Sequence, residues 1–354
     1  MSRFLSTRHN SLTPYVPGEQ PKDMQYIKLN TNESPFPPHK NVAEAVANES
    51  TLLHLYSDPQ CSVLTSKVAK FLGVEPENVL MTNGSDEILN FAFMAFGDNK
   101  HPFSFPDLTY GFYPVFAKLN GIPYNEIKLN SDFTVDVQKY KNIGTNIVIA
   151  NPNAPTGLSL SVNQIEEIVS SNKDNVIIID EAYIDFGGES CLPLIQKYDN
   201  LLITRTFSKS YSLAGARLGY GVGNASLISD LNTIKYSTNP YNVNRMTMVA
   251  GITAIDNADY YMDNCRKIIE NREYAKNVLC KMGFYVTDSN TNFLFVKHPK
   301  ISGEELYLAL RKNGILVRHF NKTEIADLNR ITIGTKTQTE TLLSTIDKIL
   351  KKEI

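Results

Sequence analysis

Asn175-Val-Ile-Ile-Ile-Asp180-Glu181-Ala182-Tyr183 is a run of four β-branched apolar residues that stops at two adjacent carboxylates. Four such residues without polar alternation predict a strand covered on both faces, as in a parallel sheet. Similar short runs stand at Ile147–Ala150, Leu201–Thr204 and Leu218–Val222. Helical patterns lie among and before them, at Val63–Leu72, Asp86–Phe96, Phe112–Leu119 and Val162–Ser170. Ser161-x-x-Gln164 offers a capping box for the last of these. Strands alternating with helices predict an α/β unit whose mainly parallel sheet is sandwiched by helices.

The pattern changes after about Tyr241. A long helix is expected near Tyr260–Lys281, then a strand at Phe293–Val296 and a helix at Glu304–Lys312. Strands at Ile315–Arg318 and Arg330–Ile333 follow, with a last helix capped by Thr337-x-x-Glu340. This reads as a smaller α+β domain. The expected division is an N-terminal arm at 1–30, a large domain at 31–241 and a small C-terminal domain at 242–354.

The totals exclude several classes. A chain of 354 residues with 42% hydrophobic and 20% charged content can bury a sizeable core. A net charge of −2 and the absence of any long basic run argue against a nucleic-acid partner. No stretch reaches the roughly 18 apolar residues of a membrane span. The first twenty residues lack the apolar core of a signal peptide. Cys61, Cys191, Cys265 and Cys280 are scattered, and the six histidines have no ligand spacing, so neither a disulfide framework nor a metal site is expected. A soluble, cytoplasmic chain in a reducing compartment is the plain expectation.

Four segments carry chemistry. Thr204-Arg-Thr-Phe-Ser-Lys209 places a lysine among hydroxyls just after a buried strand, with Arg217 eight residues on. Such a lysine suits a Schiff-base nucleophile, although a Ser-Lys pair on a loop is as often solvated surface. Asp180 ends a strand, where ligands of open α/β sheets sit. It would keep a nearby pyridine nitrogen protonated, or simply cap a helix. Thr82-Asn-Gly-Ser-Asp-Glu87 precedes an apolar helix, as a phosphate cradle or an ordinary cap would. Asn151-Pro-Asn-Ala-Pro-Thr-Gly157 is a turn-forming run.

Taken together, these segments resemble the aspartate-aminotransferase-like fold (fold type I) of pyridoxal 5′-phosphate-dependent enzymes, over nearly the whole chain. Within that fold they look most like the histidinol-phosphate aminotransferases. Leu12-Thr-Pro-Tyr15, Leu29-Asn-Thr-Asn-Glu-Ser-Pro35, Tyr56-Ser-Asp-Pro-Gln60, Thr109-Tyr-Gly-Phe-Tyr113 and Arg330-Ile-Thr-Ile-Gly-Thr335 carry this likeness. The resemblance implies a pyridoxal-phosphate-binding large domain, with Lys209, Asp180 and Tyr183 as the catalytic residues. Lys209 would hold the cofactor as a Schiff base, Asp180 would pair with the pyridine nitrogen and Tyr183 with the ring hydroxyl. Tyr110 would stack on the ring, and Ser85, Asp86 (through backbone N–H), Thr206, Ser208 and Arg217 would hold the phosphate. Tyr56 would reach that phosphate from the neighbouring subunit of a homodimer. Arg330, Arg318, Asn32 and Tyr15 would contact substrate. The implied reaction exchanges an amino group between histidinol phosphate and 2-oxoglutarate, in histidine biosynthesis.

One position departs from the family pattern. Ala154 stands before Pro-Thr-Gly where an asparagine donor to the ring hydroxyl is usual, and Asn153 is one place too early to replace it. Threonine-phosphate decarboxylases and aromatic aminotransferases share the fold and are the near alternatives. A dinucleotide-binding oxidoreductase fails on spacing, because Gly219-x-Gly221-x-Gly223 is followed by Asn224 where the fingerprint needs glycine.

Overall fold

The computed structural model describes residues 2–10 and 12–353. Its main sheet has seven strands in the order Val79–Thr82, Gly219–Gly223, Leu201–Thr206, Ile177–Asp180, Asn146–Ala150, Phe103–Pro106 and Tyr124–Ile127. Neighbours are parallel from Leu201–Thr206 outward to Tyr124–Ile127. Gly219–Gly223 runs against both of its neighbours, so the sheet is mixed and mainly parallel. Strand Ile177–Asp180 lies at its centre, and Ile177, Ile178 and Ile179 are fully buried. Side chains alternate between two separate cores: Ile177 and Ile179 face one helical layer and Ile178 the other. This explains the unbroken apolar run.

Four strands form the second, antiparallel sheet, in the order Arg318–His319, Asn329–Thr332, Phe293–Lys297 and Tyr285–Val286. Helices Ala258–Lys281, Gly303–Lys312 and Lys336–Leu350 contribute Ile268, Leu306 and Ile346 to its core. The expected strand Ile315–Arg318 divides in two. Ile315–Leu316 pairs in parallel with Ile27–Lys28 near the N-terminus, whereas Arg318–His319 joins the antiparallel sheet. The last helix is capped by Thr335 with Gln338, two residues earlier than expected, because the Thr335 hydroxyl already accepts the Gln338 N–H. The Ser161–Gln164 box stands as read.

Helix Arg245–Asp256, beyond the expected boundary at 241/242, packs on Lys40–Glu49 and Ser62–Leu72 in the large core. Helix Ala258–Lys281 spans the division, giving Tyr261 to the large core and Ile268 and Leu279 to the small one. We propose that packing, as distinct from chain order, changes allegiance within this helix. Among the described residues no helix is long and apolar enough to cross a membrane.

Candidate active site

The carboxyl ends of the central strands open onto a cavity of about 280 Å³. Its wall brings together Ser85, Asp86, Tyr110, Asp180, Tyr183, Thr206, Ser208, Lys209 and Arg217, nine of the ten expected cofactor contacts. A second cavity of about 540 Å³ adjoins it and includes Tyr15, Asn32, Arg318 and Arg330. Lys209, Tyr110, Tyr183, Ala154 and Thr31 line both, so they form the wall where the two chambers meet. Tyr56 lines neither. It is 81% exposed and stacks on Tyr241, with ring centroids 4.7 Å apart.

Asp180 sits at the floor of the smaller chamber, where its strand ends. Oδ2 accepts from the buried Tyr113 hydroxyl at 2.9 Å, and Oδ1 accepts from Thr204 at 3.2 Å and from the Ala182 N–H at 3.3 Å. Burial outweighs these donors and pushes the carboxyl up to about 6. A cationic partner would reverse that penalty, so the site is suited to a protonated ring nitrogen.

One end of the chamber gathers donors that could hold an anion. Helix Ser85–Phe96 begins here, and Ser85 and Asp86 of its first turn share the cavity wall with Thr206 and Ser208. Gly84 adopts φ +81°, and a Cβ on it would stand 2.6 Å from Arg217 Nη2. A Cβ on Gly219 would lie 2.5 Å from the Ser85 nitrogen. Only glycines allow the helix start, the neighbouring strand and the guanidinium to converge. Arg217 meets the Asp86 carboxylate at 2.9 Å, and Asp86 also accepts from Tyr110 at 2.6 Å. The Asp86 side chain thus fixes the arginine and the aromatic wall, beyond its expected backbone role. The donor cluster, carboxylate floor, aromatic wall and lysine fit the dimensions and donor chemistry of pyridoxal phosphate.

Lys209 Nζ lies 3.5 Å from the Thr31 carbonyl and 5.8 Å from the centre of the Tyr183 ring. The Tyr183 hydroxyl accepts from Asn32 Nδ2 at 2.9 Å. Asn32 is itself tied down by Thr332 and Asn292. Its left-handed backbone (φ 56°) is one that asparagine tolerates. In the larger chamber, strand register places Arg318 beside Arg330. Arg330 donates to the Asn30 carbonyl at 3.1 Å, while its buried Nε has no partner among the described residues. Desolvation, with help from Arg318, lowers its affinity for a proton. Arg318 donates to the carbonyls of Val16 and Pro17, which seats Tyr15 at the chamber mouth against Phe112.

Ala154 sits on the shared wall, and Asn153 does not take its place. The Asn153 amide is satisfied by Thr156 of its own loop and by Leu108 and Thr109 of the segment after strand Phe103–Pro106. Tyr113 and Thr31 lie inside the same motifs as Tyr110 and Asn32, but nothing in the sequence singles them out. The same holds for Thr204, whose place on the strand beside Asp180 becomes evident only with the register.

The sequence matches the model of the aminotransferase class I and II family over residues 24–346. It is 49% identical to the histidinol-phosphate aminotransferase of Brachyspira hyodysenteriae over 99% of this chain and the full length of that one. It is 43% identical to that of Clostridium botulinum, over 99% of this chain and all of the relative. The chain is a histidinol-phosphate aminotransferase family member. That family belongs to the pyridoxal-phosphate-dependent transaminases of the aspartate-aminotransferase-like fold. Histidinol-phosphate aminotransferase from Sinorhizobium meliloti, solved in complex with pyridoxal 5′-phosphate, superposes with a TM-score of 0.85 at 22% identity, covering 93% of this chain and 92% of that one. L-threonine-O-3-phosphate decarboxylase from Porphyromonas gingivalis superposes nearly as well, with a TM-score of 0.81 at 19% identity over 92% of this chain and 99% of that one. Backbone shape therefore marks the fold, and sequence separates this family from its neighbours.

Proposed function

We propose that this chain moves an amino group between histidinol phosphate and 2-oxoglutarate in histidine biosynthesis, using pyridoxal phosphate held covalently by Lys209. The observation that carries the reading is the shared wall: one lysine borders both a cofactor-sized chamber and an arginine-lined one. When bound, pyridoxal phosphate supplies a carbonyl that condenses with amines and a ring that accepts electron density.

The chain's own residues do the rest. Ser85, Asp86, Thr206, Ser208 and Arg217 hold the phosphate, and Tyr56 reaches it from the second subunit of a homodimer. Asp180 keeps the ring nitrogen protonated, Tyr110 covers one ring face and Tyr183 hydrogen-bonds the ring oxygen. Lys209 Nζ would act as the base at the junction of the two chambers, taking a proton from the substrate carbon and returning it. Arg330, helped by Arg318 and Tyr15, grips the anionic end of either substrate beside Asn32. A guanidinium fork accommodates phosphate and carboxylate alike, so one site serves both partners.

The test is the absorbance spectrum of purified protein before and after histidinol phosphate, then after 2-oxoglutarate. The visible band of the lysine-bound cofactor is expected to bleach with the first and return with the second. A band that ignores histidinol phosphate but bleaches with an aromatic amino acid replaces the substrate. No band, even after added cofactor, overturns the proposal.

A further inference from the structure

Besides Lys209 on the shared wall and the two arginines, the larger chamber holds one more cation. Arg318, Phe320 and Lys322 all line it, whereas His319 and Asn321 do not. This period of two is that of an extended chain, so the segment leaving strand Arg318–His319 points every second side chain into the cavity. Strand pairing adds Arg330 to the same face, and both guanidiniums lie within 6 Å of the Phe320 ring, at 5.7 and 5.8 Å. Lys322 Nζ donates to the main-chain carbonyl of Asp107 at 2.9 Å, reaching from the small unit to the large one across the chamber mouth.

No carboxylate among the described residues forms an ion pair with Arg318, Arg330 or Lys322. Asp107 and Glu126 are the acidic residues of the wall, and Asp107 Oδ1 is occupied by the Leu129 N–H at 3.1 Å. Three cations without an ion-pair partner among the described residues, on a wall with two carboxylates, exceed what a single carboxylate requires. A phosphate monoester carries about −1.5 to −2 at neutral pH, with three acceptor oxygens, against −1 and two oxygens for a carboxylate.

We propose that Lys322 is a specificity-determining residue, a third cation that favours a phosphate-bearing amine over a carboxylate-bearing one at the site Arg330 and Arg318 share. This rests on the reading of the substrate given above. The ammonium has three donors and keeps its bond to the Asp107 carbonyl while turning another toward the anion. Carboxylate substrates are satisfied by the arginines, so Lys322 adds little to them.

The experiment compares wild type, Lys322→Met and Lys322→Arg as holoenzymes. It measures half-reactions with histidinol phosphate and with glutamate, and competition of inorganic phosphate against glutamate. Lys322→Met is expected to raise the KM for histidinol phosphate roughly tenfold with kcat little changed, an effect between an exposed ion pair and a charge-assisted hydrogen bond. Inhibition by inorganic phosphate weakens similarly, the KM for glutamate stays within about twofold, and Lys322→Arg restores most of the loss. Equal change for both substrates, or no change in either, overturns the role of Lys322. If wild type ignores histidinol phosphate, the substrate reading fails by itself, and the inorganic phosphate comparison still decides Lys322.

Discussion

The Tyr113 hydroxyl donates to Asp180 Oδ2 over 2.9 Å, and both side chains are buried. Burial raises the tyrosine well above its ordinary value, with the Asp180 charge adding to the shift, so it remains a donor. A hydrogen bond to the ionised carboxylate favours that form and opposes desolvation. Tyr113→Phe therefore raises the Asp180 pKa further. Expected are a several-fold weaker affinity for pyridoxal phosphate and an acid limb of activity moved to higher pH, with a stability loss of about 1–3 kcal/mol for the lost donor. Unaltered cofactor affinity and pH profile, with only the stability loss, would reduce Tyr113 to a packing role.

Asp180 itself links protonation to stability in the cofactor-free chain. Its folded pKa of about 6 lies above the ordinary value of 3.8, because burial penalises the charge. The folded state then holds the proton more tightly than the unfolded state. That contribution is fully present below about pH 4 and is lost as pH rises through about 6. Asp180→Asn removes the dependence. The difference in unfolding free energy between wild type and Asp180→Asn, measured by denaturant titration without cofactor, is expected to change by about 2 kcal/mol across this window. A constant difference from pH 4 to 7 contradicts the raised pKa.

The central strands were legible because a strand buried on both faces has no polar face to maintain. Ile177–Asp180 and Asn146–Ala150 therefore announce themselves by composition alone. Tyr124–Ile127, at the sheet edge, is partly exposed, carries Asn125 and Glu126, and offers no apolar run to read. Phe103–Pro106 is fully buried, but it merges into an aromatic stretch that masks where the strand ends. In the site, motifs located Lys209, Asp180 and the hydroxyls and arginine that share their chamber. They did not reveal Tyr113 or Thr204, whose roles depend on which strand or helix lies against Asp180. Nor could they place Lys322, since its direction follows from how the chain leaves Arg318–His319.

Ala154 tests whether the missing amide at the shared wall matters. It is buried and borders both chambers, with Asn153 engaged elsewhere. With no amide at this place, the proposed function leaves Tyr183 as the donor to the ring oxygen. Restoring a second donor by Ala154→Asn stabilises the ionised oxygen and is expected to move the absorbance titration of the lysine-bound cofactor to lower pH. The effect on kcat should stay below roughly tenfold, since the lysine and the residues proposed to hold the phosphate are untouched. A titration that stays in place, with cofactor bound normally, would show that the asparagine is dispensable here.

Arg330 sets stability against function. Its Nε is buried without a partner, no carboxylate pairs with it among the described residues, and desolvation is the leading cause of its lowered pKa. Replacing a desolvated cation by an apolar side chain relieves a cost of about 1–4 kcal/mol in favourable cases. Against this stand one hydrogen bond to the Asn30 carbonyl, worth about 1–3 kcal/mol as a charged donor, and contacts with the Phe293 and Phe320 rings worth about 0.5–2 kcal/mol. These terms nearly cancel, so Arg330→Met is expected to leave the unfolding free energy of the cofactor-free chain within about 1 kcal/mol of wild type, or above it. Activity behaves differently, because the proposed function brings the anion of both substrates to this guanidinium. The same variant should lose roughly a hundredfold or more in kcat/KM for histidinol phosphate and for glutamate, while retaining the visible cofactor band. Paired denaturation and half-reaction measurements decide the matter. A variant that unfolds several kcal/mol more easily would make Arg330 a structural strut, and one that keeps kcat/KM for either substrate would move that substrate's anion elsewhere in the chamber.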